Sequence, residues 1–154
     1  MARQKVLIPY NFTTYDKKAL DFVIKTFANK KDAEITLFST YIPLPKIDME
    51  ASPEMRKMRS PLIYLSQEFK EKEAGLQSVK GYLLKNGFSD DQIDYMFKER
   101  KTSIADEIIA TASEGQYGIL VLSRQPTKTS RLFTRSVHNK VLTTLKDITI
   151  CMVI

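Results

Sequence analysis

The chemically capable residues of this chain are few, and the most conspicuous are cations. Between Gly115 and Lys146 there is no Asp or Glu, while Arg124, Lys128, Arg131, Arg135, Lys140 and Lys146 supply six positive charges. The other basic and acidic residues balance at 18 each, so the net charge of +6 belongs to this one segment. An uncompensated basic segment attracts phosphate or another polyanion, and it can equally be a solvated surface with a charge bias. Four of the six cations crowd into the stretch from Arg124 to Arg135, which reads as one loop flanked by the hydroxyls of Ser123 and Ser136. Both readings, anion site and wet basic face, stand at this point.

Other chemistry is sparse. The sequence has no Gly-x-Gly-x-x-Gly, no Gly-x-x-x-x-Gly-Lys-Ser/Thr, no His-Glu-x-x-His and no Cys-x-x-Cys, so the dinucleotide, P-loop, zinc-protease and redox signatures are missing. The one histidine, His138, would have to carry a serine-histidine or metal-histidine mechanism alone, and it reads as a surface or interface residue. Cys151 lies among apolar residues of a terminal strand, where burial raises a thiol pKa and leaves it inert. We therefore expect no catalytic residue and no metal site. Nucleic acid is a poor fit as partner, because Phe133 is the one aromatic in the basic loop and no helix-turn-helix or RNA-binding signature occurs.

The elements that must position these residues come from composition and periodicity. With 154 residues and 43% hydrophobic content, the chain suits one domain over 1–154 with one core. At that size a domain buries roughly two-thirds of the surface of its unfolded chain and needs no staple. A lone cysteine, no leader pattern and no apolar run approaching ~18 residues set the expectation of a cytoplasmic protein without a membrane span.

Lys5 to Tyr10 is a short β-branched apolar run, hence a buried strand. Leu20, Val23, Ile24 and Phe27 follow at helical spacing behind a cap at Thr13 or Thr14, and Glu34 to Ile42 is a second strand stopped by Pro43 and Pro45. Residues 43–58, with Met49, Met55 and Met58, form the one long loop, either a lid or a gap-filled wrapping. A long amphipathic helix spans Pro61 to Asn86 with Asn86-Gly87 as terminator. Ile93 to Lys98 is a charged strand suited to an edge, and Ile104 to Ala112 a helix capped by Thr102 or Ser103. Gly118 to Leu122 is the most apolar strand and the candidate for the sheet centre. A last helix holds Val137, Val141, Leu142 and Leu145, and Ile148 to Ile154 is a last strand.

Strict alternation predicts an α/β fold, a three-layer α/β/α sandwich around a five-stranded parallel sheet of order 3-2-1-4-5. The winding direction then reverses between the first and fourth strands, opening a crevice beyond their carboxyl ends. Two segments line it. They are Tyr10 to Tyr15 and Ser123 to Ser136, and the candidate anion-binding residues in and beside them are Pro9, Tyr10, Asn11, Ser123, Arg124, Lys128, Arg131, Arg135, Ser136 and Val137.

The chain resembles the universal stress protein family of small Rossmann-like cytoplasmic domains. The resemblance runs along the whole chain and is carried by Val6-Leu7-Ile8-Pro9-Tyr10-Asn11, Lys18-Ala19-Leu20-Asp21, Ala33 to Leu37, Tyr117 to Arg124 and Arg135 to Leu142. It implies a stress-response or regulatory module, not an enzyme, with ATP as a possible ligand. Members that bind ATP carry G-x-x-G-x(9)-G-(S/T) after the fourth strand; here Leu122, Gln125, Lys128 and Arg135 stand near the glycine places and Ser136 keeps the hydroxyl. Asn11 stands where an adenine-contacting aspartate is usual in the family. Close backbone approach to phosphate needs glycine, so the resemblance implies a degenerate motif and a binding mode other than the usual one. Ser136 at the start of the last helix, with the arginines, still suits a phosphate ligand or an acidic protein partner. Family members commonly pair through the final strand, so the resemblance also implies a homodimer using Ile148, Ile150, Met152 and Ile154. Two functions stay open: a binding and interaction module, or a nucleotide or phosphate sensor built on the basic loop.

Overall fold

Periodicity and sheet arithmetic translate directly into the observed elements. The computed structural model describes residues 3–43, 59–124 and 131–154. Its order is β1 (Gln4–Pro9), α1 (Thr14–Phe27), β2 (Ala33–Tyr41), α2 (Arg59–Lys85), β3 (Ile93–Glu99), α3 (Ile104–Glu114), β4 (Ile119–Ser123), α4 (Arg131–Thr144) and β5 (Thr149–Val153). All strand pairs are parallel and the sheet order is β3-β2-β1-β4-β5, as the alternation requires. Of the expected 43–58 loop, all but Pro43 lies outside the described residues. Among the described residues no helix is long and apolar enough to cross a membrane.

The centre of the sheet is β1, not the more apolar β4. Val6, Leu7 and Ile8 are fully buried because β1 is paired on both sides, with β2 and with β4. Successive side chains point to opposite faces, so the strands feed two cores. Val6, Ile8, Ile35, Leu37 and Val121 join Leu20 and Val23 of α1 and Leu76 and Leu83 of α2. Leu7, Leu120 and Leu122 join Ile108 and Ala112 of α3 and Val141 of α4. The charged strand β3 lies at one edge, as its composition suggested, and β5 at the other.

Local chemistry fixes the ends of these elements. Thr13 caps α1 in a reciprocal capping box with Asp16, and Ser103 caps α3 by accepting from the Asp106 amide. A short 3-10 turn, Asp90–Gln92, precedes β3 and was not anticipated. Its buried Gln92 donates through Nε2 to the carbonyls of Lys30 and Ala33 at 2.9 and 3.0 Å, stitching the start of β2 to β3. Phe69 of α2 packs edge-on against Tyr41 and beside Phe97, with ring centroids 4.8 and 5.0 Å away, which covers the far end of β2 and β3. The last helix starts at Arg131 rather than near Val137. The four-residue spacing of Phe133, Val137 and Val141 continues the helical stripe backwards, a pattern hidden by the intervening basic residues.

Two glycines of the α2 region separate entropy from geometry. Gly81 lies within the helix with open space around a would-be Cβ, whereas Gly87 holds φ at +109° just beyond it and a Cβ there would meet Ala28. Gly81→Ala is expected to raise the unfolding free energy by about 0.5–1 kcal/mol and Gly87→Ala to lower it by about 1–2 kcal/mol. Urea denaturation of the two variants beside the parent checks both signs.

Candidate functional site

The crevice forms where β1 and β4 end and the chain leaves them in different directions. Beyond Pro9 the backbone turns sharply, with Phe12 held at φ 62°, and re-enters a helix at Thr14. Asp16 holds this turn in place. Its Oδ2 accepts from the amides of Asn11 and Thr13, each at 3.0 Å, and from the Thr13 hydroxyl at 3.0 Å. Its Oδ1 accepts from the Ser123 hydroxyl at 2.6 Å, across the sheet. The carboxylate is 1% exposed and its four hydrogen bonds offset the cost of burying a charge.

The loop after β3 uses the same device. Glu107 of α3, 7% exposed, accepts through Oε1 from the amides of Lys101 and Thr102 and from the Thr102 hydroxyl at 2.9–3.2 Å. The Lys101 amide is the main cause holding its carboxyl below the usual range, against an opposing push from burial. Asp106 beside it pairs with Lys140 at 2.7 Å and joins α3 to α4.

Between these anchors lies a cleft of about 120 Å³ lined by Pro9, Asn11, Ile104, Ile108, Leu122, Ser123, Val137 and His138. Of the sequence candidates, it brings together Pro9, Asn11, Ser123 and Val137. Tyr10 does not join them. Its ring stacks edge-on to Phe12 at 4.9 Å and lines a separate hollow between α1 and α2 with Lys17, Ser78 and Tyr82. Burial, then the nearby Asp16 charge, raises the Tyr10 phenol above its ordinary value. Arg124 sits half-buried at the end of β4, its amide bonded to the Val153 carbonyl at 2.8 Å. Lys128 lies outside the described residues. Arg131, Arg135 and Ser136 belong to the first turns of α4. Ser136 is therefore more than one turn inside the helix, not at its start, and its amide is not among those left free at a helix N-terminus.

Two residues of this region escaped the sequence reading. Asp16 completes the Thr-x-x-Asp pattern that marks a capping box, a signal present but unused. His138 is 7% exposed rather than superficial. Its spacing to Val141 and Leu145 is that of a buried helix stripe, which could have placed it inside. Its Nδ1 is buried without a hydrogen-bond partner. Desolvation holds the imidazole below the ordinary histidine value, with the Arg124 charge acting the same way and the Ser123 main chain opposing. Among the described residues no group of three His, Cys, Asp or Glu side chains could hold a metal ion. The cleft offers an amide side chain, a hydroxyl oxygen, a neutral imidazole and a nearby guanidinium, a set suited to recognising a polar or anionic group.

Comparison with known proteins agrees with this architecture. The model of the universal stress protein family matches residues 2–146. Among solved structures, the universal stress protein UspA from Lactobacillus plantarum superposes with a TM-score of 0.70 at 14% identity, over 100% of both chains. A universal stress protein in complex with cAMP gives 0.63 at 17% identity, covering 100% of this chain and 98% of that one. The universal stress protein from Archaeoglobus fulgidus in complex with dAMP gives 0.63 at 12% identity over 100% of both. No curated protein sequence matches significantly.

The two carboxylate anchors yield separable expectations. Asp16→Ala strands two amides and the Ser123 hydroxyl, and lowers the unfolding free energy by about 3 kcal/mol; Asp16→Asn, which keeps an acceptor, costs about 1 kcal/mol. Chemical denaturation of the two variants gives the order. Because the folded state depresses the Glu107 pKa, its stabilisation is fully present above the unfolded value near 4.5 and is lost as pH falls through the folded value. Glu107→Gln is therefore less stable than the parent at neutral pH, with a difference that closes in acid, as paired melting curves at stepped pH will register.

Proposed function

The chain belongs to the universal stress protein family, and from that premise we propose that it is a cytoplasmic stress-response module that binds a phosphate-bearing ligand and acts through binding rather than catalysis. The observation that supports this is the cleft at the winding reversal, where Asn11, Ser123 and His138 converge beside Arg124. Relatives of this fold have been solved with cAMP and with dAMP, which suggests an adenine nucleotide or a smaller phosphate compound as the ligand class. Binding is favoured over bond-breaking because the Ser123 proton is directed to Asp16, a carboxylate already saturated by chain donors. The usual ATP mode of the family is disfavoured by the Leu122 side chain, which forms cleft wall where a glycine would leave room. Free Cys151 suits a reducing compartment.

Pairing of two copies along β5 completes the proposal. Ile150, Cys151, Met152 and Val153 are half-buried in the single chain, and Ile154 is 67% exposed beside an unpaired strand edge. A second copy covering that edge would satisfy its backbone groups and bury its apolar side chains.

Calorimetric titration with AMP and ATP, alongside mass spectrometry of the natively purified protein, tests the ligand. AMP binding in the micromolar range that Asn11→Ala weakens about tenfold is the expected result, the loss of one hydrogen bond at the cleft. No heat and no retained nucleotide would sink the ligand reading and leave the basic segment to an acidic protein partner. In light scattering the parent should run as a dimer and Ile150→Lys as a monomer; an unchanged mass for the variant excludes pairing through β5.

A further inference from the structure

Among the described residues His138 is a titratable group in the cleft wall with one ring nitrogen left without a partner. It is more than nine-tenths buried and its Nδ1 has no partner. Buried polar atoms in native proteins are normally satisfied by protein, water or ligand. The neighbouring elements offer little. From α3, Ile104 and Ile108 face the cleft; from the loop after β1 comes Asn11; from β4 come Ser123, whose hydroxyl proton goes to Asp16 and whose main chain hydrogen-bonds the ring, and then the cation Arg124. On α4 itself, Lys140 is taken by Asp106. Among the described residues none that lines the cleft is a carboxylate.

The cleft also has room. Its volume of about 120 Å³ is well above the ~10–15 Å³ that one water needs on the same measure, so it can admit a tetrahedral oxyanion. An anion there would meet the Arg124 cation and the bare imidazole together, in a segment that holds all of the excess positive charge.

Building on the reading of this cleft as the phosphate site, we propose that His138 is its proton-coupled handle: neutral when the cleft is free, imidazolium when an oxyanion occupies it, so that binding takes up a proton. In the free protein burial and Arg124 disfavour the charged ring. A bound oxyanion reverses the balance by cancelling the Arg124 field and placing a negative charge beside the ring that lines the cleft. Between the free and bound pKa values one proton enters with the ligand. Affinity therefore climbs as pH falls through the bound-state value and levels off below the free-state one. The consequence is a site that favours phosphate-class ligands in mildly acidic surroundings.

The test uses the full chain and two probes, inorganic sulfate and AMP. Sulfate remains a dianion across the range, so any pH dependence of its binding belongs to the protein. Calorimetry at about pH 5.5 and about pH 8, in buffers of different ionisation heat, is expected to show sulfate binding at least about tenfold tighter in acid, with up to one proton taken up. His138 is the only histidine, so its ring resonances are unambiguous, and its pKa should rise when sulfate or AMP is added. In His138→Gln the pH dependence should vanish, with circular dichroism confirming the fold. A ring pKa unmoved by either probe, equal sulfate affinity at both pH values, or pH dependence that survives in His138→Gln overturns the proposal. If AMP binds equally well at both pH values without proton uptake, the phosphate-site reading stands and the role of His138 falls. If neither probe binds at either pH, both fall.

Discussion

A single buried carboxylate decides the shape of this end of the molecule. Asp16 gathers the loop after β1 onto itself and reaches across to Ser123, 107 residues away, at the tip of β4. A parallel sheet with reversed winding leaves its two central loops pointing apart once the pairing of β1 with β4 ends. Asp16 bridges them there. The loop it holds carries the positive φ of Phe12 and sends Tyr10 and Asn11 to separate hollows.

Around that hub the two faces of the sheet are held differently. The α1 and α2 face is bound by a broad apolar core and by the Tyr82 hydroxyl donating to Asp21, with Phe12 wedged where Gly75 leaves no side chain. On the other face α3 and α4 share a smaller core, the Asp106–Lys140 pair and the Glu107 anchor. The cleft opens on this second face, against Ile104 and Ile108 of α3 and Val137 and His138 of α4.

Much of the fold was legible in the sequence because each element carried its own period. Val6-Leu7-Ile8 announced a strand buried on both sides, and the stripe of Leu76 and Leu83 announced a helix lying on the sheet. The edge position of β3 was readable from Asp94, Lys98 and Glu99. Sheet centrality was misassigned because apolar content reports burial, and β2, β1 and β4 are all paired on both sides; the strand order alone puts β1 in the middle. The site was less legible. Asn11 and Ser123 were placed together by topology alone, which is a rule about strand ends, and Pro9 and Val137 lie just outside the two segments that it marked. The Asp16–Ser123 bond leaves no local trace, since its partners are distant in sequence, and Ser136 was misplaced because basic residues masked the helical spacing of Phe133, Val137 and Val141. His138 was misjudged because a lone polar residue in a helix defaults to solvent, and its inward orientation depends on α3 and β4 packing against it.

The sheet has two edges of unlike character. Along β3 the charged Asp94, Lys98 and Glu99 discourage any further strand, while β5 presents mainly apolar residues and holds no charge within it. A surface that meets only its own copy, through a twofold axis, is consumed by the meeting. Had both edges been bare, copies could have added head to tail without limit, in the manner of a growing fibre. With one edge guarded, the proposed pairing along β5 would end at two, and the asymmetry of the edges would set that stoichiometry without any dedicated stop signal.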